Sequence, residues 1–347
     1  TYGLTAADAS WVVSSATLGL ALAIVPWALA ADRFGRRRML QVAAVAAAVI
    51  AVASPGLPGF AGLLAGRFLL GAALGGIPAL AVAYLHEAAG PHRAGVAAGA
   101  YVAATSVGGL AGRLVAAPVG ELVGWRLSLE LMGVLAAALT VLFAVLLPAT
   151  APHRVVPLRS SLRTLGRQAV NVRALPLYAI GAMVVGAMVA VFNAIGFRLE
   201  AAPYFLSATA VSLVFLTYLS GTVTSRLSGA LVHRWGTRMP LVAGGALMTV
   251  GAAVTIASGV AVIVAGILLI TAGMFLAHAT ANAATARAGG SGRQHAVALY
   301  SVAYYVGSSV IGTVGAAAWT AGGWLALAGL VAGLGVLVVI CALAVRD

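Results

Sequence analysis

Long apolar runs alternate along this chain with short polar or turn-rich breaks. Eleven runs stand out, at 11–31, 39–55, 59–86, 95–118, 126–148, 174–196, 205–229, 239–257, 260–286, 295–318 and 322–345. A helix needs about 20 mostly apolar residues to cross the hydrocarbon core of a bilayer, where only internally bonded backbone survives. Each run is therefore predicted to be a spanning helix. The breaks are of two kinds. Ser54-Pro55-Gly56-Leu57-Pro58-Gly59 cannot continue a helix. Arg33 to Arg38, Pro91 to Arg93 and His233 to Arg238 are too polar to lie in lipid.

The arginines give the threading. If the loop after 11–31 is cytoplasmic, alternation of the spans places Arg33, Arg36, Arg37, Arg38, Arg93, Arg154, Arg159, Arg163, Arg167, Arg173, Arg234, Arg238, Arg287, Arg293 and Arg346 on that side. Only Arg126 and Arg198 face the other side. That asymmetry follows the positive-inside rule, and a missed or invented helix would scramble it.

Composition agrees. Of 347 residues, 62% are hydrophobic and only 8% are charged, against about a quarter charged in soluble domains. A water-soluble fold is excluded, because there is too little polar side chain to cover its surface. The single cysteine, Cys341, excludes a disulfide scaffold and a metal-thiolate site. The net charge of +13 comes entirely from arginines scattered among apolar runs. A nucleic-acid site would need them clustered on a soluble surface.

Two stretches echo each other at an offset near 200 residues. Ala28-Leu29-Ala30-Ala31-Asp32-Arg33-Phe34-Gly35-Arg36-Arg37 aligns with Gly229-Ala230-Leu231-Val232-His233-Arg234-Trp235-Gly236-Thr237-Arg238. Val107-Gly108 falls on Val306-Gly307, and Gly124-Trp125 on Gly323-Trp324. The chain reads as two parallel halves, an arrangement found in secondary transporters. Residues 1–148 form the first half with five spans, and 174–347 the second with six. The partner of 174–196 would lie before residue 1, and the chain opens at Thr1 rather than Met. The expectation is a fragment of a twelve-helix protein that lacks its first helix.

Between the halves lies a cytoplasmic linker, 149–173. Arg159, Arg163 and Arg167 recur every fourth residue among Leu158, Leu162 and Leu165. This predicts a short basic amphipathic helix on the inner membrane surface, with a disordered basic linker as the alternative.

With these residues in hand, the chain resembles the major facilitator superfamily. The family's loop signature, Gly-x-Leu-x-Asp-Arg-x-Gly-Arg-Arg/Lys, matches Ala28 to Arg37, and in degraded form Gly229 to Arg238. Arg67 with Gly71 is similar to the Arg-x-x-x-Gly element of the family's fourth helix, and Glu87, Pro91 and Arg93 to the loop after it. Ser106 to Arg113, Gly124-Trp125-Arg126, Ala298-Leu299-Tyr300 and Tyr304 to Ser309 resemble a YnfM-like branch of the drug/proton antiporters. Ala28 replaces the first glycine of the loop signature, and His233 replaces the acid in its second copy. The antiporter Gly-Pro pair of helix five is missing, the nearest proline being Pro118.

The resemblance implies an all-α membrane bundle of two pseudo-symmetric six-helix halves, with eleven of twelve helices in this chain. It assigns gating to the loop copies: Asp32, Arg33, Gly35, Arg36 and Arg37, with Arg234, Gly236 and Arg238. Asp32 would latch to a helix N-terminus or pair with an arginine; setting topology by charge alone is the alternative. Arg67 lies about eight residues into its span, roughly 12 Å deep at 1.5 Å per residue. The family places it beside the coupling carboxylate or cavity; bonding to backbone carbonyls is the alternative.

Other groups are read from position. Arg113 and Glu130 lie at matching depth on consecutive helices, which predicts an ion pair. Arg126 competes for Glu130 at i,i+4, and Glu130 is also a candidate proton site. Asn193, His278, Asn282, Tyr304 and Tyr305 are candidate cavity groups; His278 could equally be structural, and the tyrosines could belong to an interface belt. Gly71, Gly108, Gly109 and Gly112 are candidate close-packing positions.

There is no P-loop, His-Glu-x-x-His or Gly-x-Ser-x-Gly motif, so no enzyme is expected. The expected function is alternating-access transport of a small organic solute across the cytoplasmic membrane, most readily proton-coupled efflux. A sugar or organic-acid uptake carrier is the alternative, and a non-transporting sensor or scaffold is the alternative of another class. The expected partners are a small-molecule substrate and membrane lipids, without nucleic acid, the chain acting as a monomer. No cofactor and no metal are expected, protons being the coupling ion.

Overall fold

A computed structural model describes residues 6–89, 94–149 and 157–345. Pro91, Arg93, Arg154 and Arg346 lie outside the described residues, as do the side chains of Tyr101 and Ser106. All regular structure among the described residues is helical. Among the described residues, eight segments are long and apolar enough to cross a membrane.

In chain order the helices are α1 (Ala6–Phe34), α2 (Arg36–Ala53), α3 (Gly59–Leu74), α4 (Gly76–Ala89), α5 (Ala94–Val123), α6 (Trp125–Leu146) and α7 (Leu158–Ala169). They continue with α8 (Leu175–Glu200), α9 (Ala208–Ser212), α10 (Tyr218–Trp235), α11 (Arg238–Val254), α12 (Val260–Ala288) and α13 (Arg293–Ala344). The basic linker thus contains a helix, α7.

Four predicted spans differ locally. The run 59–86 is broken at Gly75 into α3 and α4. Pro78 has no N–H to give the Leu74 carbonyl four residues back, so the ladder fails there. The run 205–229 starts as α9, tightens to 3₁₀ turns over Leu213–Thr217, and continues as α10 to Trp235. Here Ser212, Thr217 and Ser220 bond the carbonyls of Thr209, Val214 and Thr217, three residues back. Such side-chain bonds compete with the regular ladder. The last two runs join in α13, with non-helical backbone at Gly322 and Gly323. Gly323 has φ 59°, and Gly124, its repeat equivalent between α5 and α6, has φ 83°. Both are left-handed positions that favour glycine.

The chain forms two compact units, Ser15–Thr164 and Leu165–Asp347 with the residues up to Ser14. The boundary falls inside α7. In the first unit, α2 packs on α3, α4 and α6, and α5 on α4 and α6. Gly71 of α3 is seated on the Ala16 backbone of α1, and Trp27 Nε1 donates to the Ala72 carbonyl (2.8 Å). Lipid provides no hydrophobic drive between helices, so contact comes from small residues that let backbones approach.

The second unit is built the same way. A methyl group on Gly251 of α11 would meet the Gly266 carbonyl oxygen of α12 at 2.6 Å. One on Gly245 would meet the Gly335 carbonyl oxygen of α13 at 2.6 Å, and one on Gly186 of α8 the Gly307 carbonyl oxygen at 2.7 Å. Around these contacts Ile180, Val184, Leu241, Met248, Ile267 and Val331 form a fully buried core.

Candidate functional site

The two copies of the loop signature do the same mechanical work. In the first, α1 ends at Phe34, Gly35 turns with φ 89°, and α2 begins at Arg36. In the second, α10 ends at Trp235, Gly236 turns with φ 73°, and α11 begins at Arg238. Glycine is needed at both turns because a Cβ opposes that φ.

Each copy ties down the last long apolar helix of its own unit. Arg37 donates from Nε and Nη2 to the Leu147 carbonyl, just past α6 (3.2 and 3.1 Å). Arg238 donates from Nη2 to the Val345 carbonyl, just past α13 (3.2 Å). A guanidinium at a helix C-terminus satisfies carbonyls that have no intrahelical donor, and it complements the helix dipole.

A second tie is also repeated, with different chemistry. Arg36 forms an ion pair with Glu87 in the last turns of α4. Offset by about 200 residues, Arg287 of α12 donates to the Thr237 hydroxyl (3.1 Å). Charge at the later position is therefore reversed between the copies. Asp32 accepts a hydrogen bond from the buried Ser161 of α7 (2.9 Å). Arg33 and Arg234 are exposed beside the rings of Phe34 and Trp235.

The charges within spans separate into distinct cases. Arg67 of α3 has its Nε buried without a hydrogen-bond partner among the described residues. Arg113 and Glu130 do not form the expected ion pair. Arg113 is exposed and donates to the Gly109 carbonyl one turn back (3.0 Å), while Glu130 is half-buried on α6. Equal depth did not bring them together, because Arg113 finds an acceptor on its own helix. Gly71 lies against backbone of α1, whereas the α5 glycines have open surroundings among the described residues. Among the described residues, Gly108 and Gly112 have nothing within 4 Å of a built Cβ, and Gly109 meets Arg113.

In the second unit, His278 of α12 and Tyr300 of α13 are joined. The Tyr300 hydroxyl lies 3.0 Å from His278 Nδ1 and 3.2 Å from its carbonyl oxygen. Tyr304 meets the imidazole edge-on at 5.3 Å between centroids, and Tyr305 lies against Tyr304. With one proton to give, the Tyr300 hydroxyl can serve the carbonyl while accepting from Nδ1–H, so both groups are satisfied. Asn193 of α8 has its Nδ2 buried without a hydrogen-bond partner among the described residues. It faces Gly312, where a Cβ would lie 3.8 Å from it. Asn282 is half-buried, four residues past His278. No cluster of three or more His, Cys, Asp or Glu occurs among the described residues.

Sequence reasoning missed Ser161, the carbonyls of Leu147 and Val345, and the Arg287–Thr237 tie. It also missed Arg198, which donates to the carbonyls of Thr255 (2.6 Å) and Ala257 (2.8 Å) while lying over the Trp324 ring. The alignment of the two loop copies carried a usable signal for the second tie, since Arg287 falls on Glu87.

Comparison with known proteins gives the superfamily by a separate route. Residues 1–288 match the family described as Major Facilitator Superfamily. The chain is 34% identical over 325 residues to the inner membrane transport protein YnfM of Escherichia coli, covering 93% of this chain and 78% of that protein. It is 31% identical over 334 residues to the uncharacterized MFS-type transporter YybF of Bacillus subtilis, covering 95% and 82%. Its fold is similar to that of the xylose transporter XylE from E. coli, with a TM-score of 0.71 at 16% identity, over 97% of this chain and 86% of that one.

Proposed function

Because the chain belongs to the major facilitator superfamily, and so is a multi-pass membrane transporter and not an enzyme, we propose that it exports a small organic solute in exchange for protons. The observation that carries this reading is Arg67, a guanidinium inside a span whose Nε is buried with no hydrogen-bond partner among the described residues. Arginine cannot shed its charge to escape that cost, and intramembrane charges default to functional or paired roles. An anionic or hydrogen-bond-accepting complement is therefore required during the transport cycle. A carboxylate that alternately binds and releases a proton supplies it, as does an acceptor group on the solute.

Glu130 is the candidate proton carrier, being a half-buried carboxylate in α6. Asn193, with its unused donor, and Asn282 and Tyr304 are the candidate solute contacts in the second unit. His278 is held by Tyr300 and shapes that region. The Arg36–Glu87 pair and the Ser161–Asp32 bond are the breakable contacts of the gating loop. The cytoplasmic membrane is the proposed location, in keeping with the name of the YnfM relative.

One proton moving down 100 mV supplies about 2.3 kcal/mol, enough to hold a neutral solute at a roughly 40-fold gradient. The test is a resistance and accumulation screen in cells expressing the full-length protein, with Arg67→Ala alongside. The expected result is a solute whose cellular level falls with the native chain and not with Arg67→Ala. A solute that accumulates with the native chain would reverse the proposed direction.

A further inference from the structure

Helix α7 meets the protein through hydroxyl and amide groups and leaves its apolar side open. Ser161, buried, donates to Asp32 (2.9 Å), and Gln168 Nε2 donates to the Gly289 carbonyl (3.1 Å). These positions share one face at helical spacing. The neighbouring stripe carries Leu158 and Leu162, which are 57% and 47% exposed. Beyond it lie Arg159, Arg163 and Arg167, all exposed. The helix contains no Asp or Glu.

Its last turn sits at the ends of two apolar helices. The Tyr178 hydroxyl, in the first turn of α8, donates to the Gln168 carbonyl (3.2 Å). Asn171 Nδ2, just after α7, donates to the carbonyl of Ala288, the last residue of α12 (3.1 Å). Both α8 and α12 are long and apolar enough to span, so α7 ends where those helices leave the hydrocarbon.

We propose that the uncovered face of α7 lies in the headgroup layer of the adjacent leaflet and binds anionic phospholipid. Leu158 and Leu162 would enter the acyl boundary, and the three guanidiniums would take lipid phosphates, which suit their fork of donors. Three arginines near such a surface strengthen binding by about 100-fold. A second copy of this chain fits the same face poorly, since it would bring three more cations and no acid. The opposite face of the same helix holds Asp32 through Ser161, so lipid and the gating loop meet the same turns of α7.

The test uses the full chain with Cys341→Ser and Leu162→Cys, labelled at position 162 with an environment-sensitive fluorophore. Vesicles of phosphatidylcholine, with and without phosphatidylglycerol, contain lipids brominated on the upper acyl chain. The expected result is quenching of the label, at least about two-fold stronger with phosphatidylglycerol. That dependence should disappear in the triple Arg159→Gln, Arg163→Gln, Arg167→Gln variant and persist when the same three become lysine. The lipid comparison on the native arginines needs no variant that risks misfolding. An unquenched label, quenching indifferent to phosphatidylglycerol, or cross-linking between two copies at position 162 would each overturn the proposal.

Discussion

Arg36 at the start of α2 is joined by an ion pair to Glu87 in the last turns of α4. The equivalent positions of the second unit, Thr237 and Arg287, are joined by an ordinary hydrogen bond (3.1 Å). One repeated tie is thus charged on both sides in the first unit and on one side only in the second. Side-chain exposure is 17% for Arg36 and 35% for Glu87, so water and salt screen the first tie.

Glu87→Gln should therefore cost little stability, under about 1 kcal/mol, because partly exposed ion pairs contribute little. Its effect is expected on transport rate instead, since it loosens the gating loop. Thermal unfolding in detergent and flux in vesicles check the two halves of this prediction. A charge exchange, Arg36→Glu with Glu87→Arg, should restore the rate.

The two C-terminal ties predict a ranking. Arg37 is half-buried and makes two bonds to the Leu147 carbonyl, whereas Arg238 is exposed and makes one to the Val345 carbonyl. Arg37→Ala should destabilise the protein by about 1.5–3 kcal/mol, the range for charge-assisted bonds in partly buried surroundings. Arg238→Ala should cost clearly less. Melting temperatures of the two variants under the same conditions decide the order.

Glycines that look alike in the sequence should behave differently. Gly71→Ala drives a methyl group into the Ala16 backbone, and backbone cannot swing aside. A loss of about 1–3 kcal/mol is expected from such overpacking. Gly108→Ala meets nothing within 4 Å among the described residues and should leave the melting temperature unchanged, or raise it slightly through helix propensity. A large loss at Gly108 would show that α5 packs more closely than described.

Much of this fold was legible because lipid is a strict solvent. Only apolar runs of sufficient length can span, so α1, α2, α6, α8 and α12 could be placed by counting. The equivalence of the loops was legible because Gly35 and Gly236 both sit at turns that demand glycine. The breaks inside helices were less so. Pro78 interrupts at Gly75 and hydroxyls tighten Leu213–Thr217, yet hydropathy is blind to hydrogen-bond geometry. Lateral contacts were the least legible. Depth follows from residue number, but which way a side chain faces depends on rotation about the helix axis. That is why Arg113 turned to Gly109 and not to Glu130. It is also why Ser161, one hydroxyl in a basic linker, gave no sign of reaching Asp32.

Arg67 and Glu130 should separate binding from coupling. Arg67→Ala removes the buried cation and should abolish transport of any solute the screen identifies. Glu130→Gln keeps the shape and hydrogen-bonding capacity but cannot carry a proton. It should retain solute exchange while losing proton dependence, as read by counterflow against proton-driven flux in the same vesicles.

The most direct measurement of the central claim is proton movement in everted vesicles containing the full-length protein. Vesicles are energised until their interior is acidic, and a solute from the screen is then added outside. Solute export coupled to protons predicts that the interior pH rises on addition, with solute accumulating inside, and that both effects vanish in Arg67→Ala. Solute accumulation that survives collapse of the proton gradient, or a pH rise equal in Arg67→Ala, would contradict it.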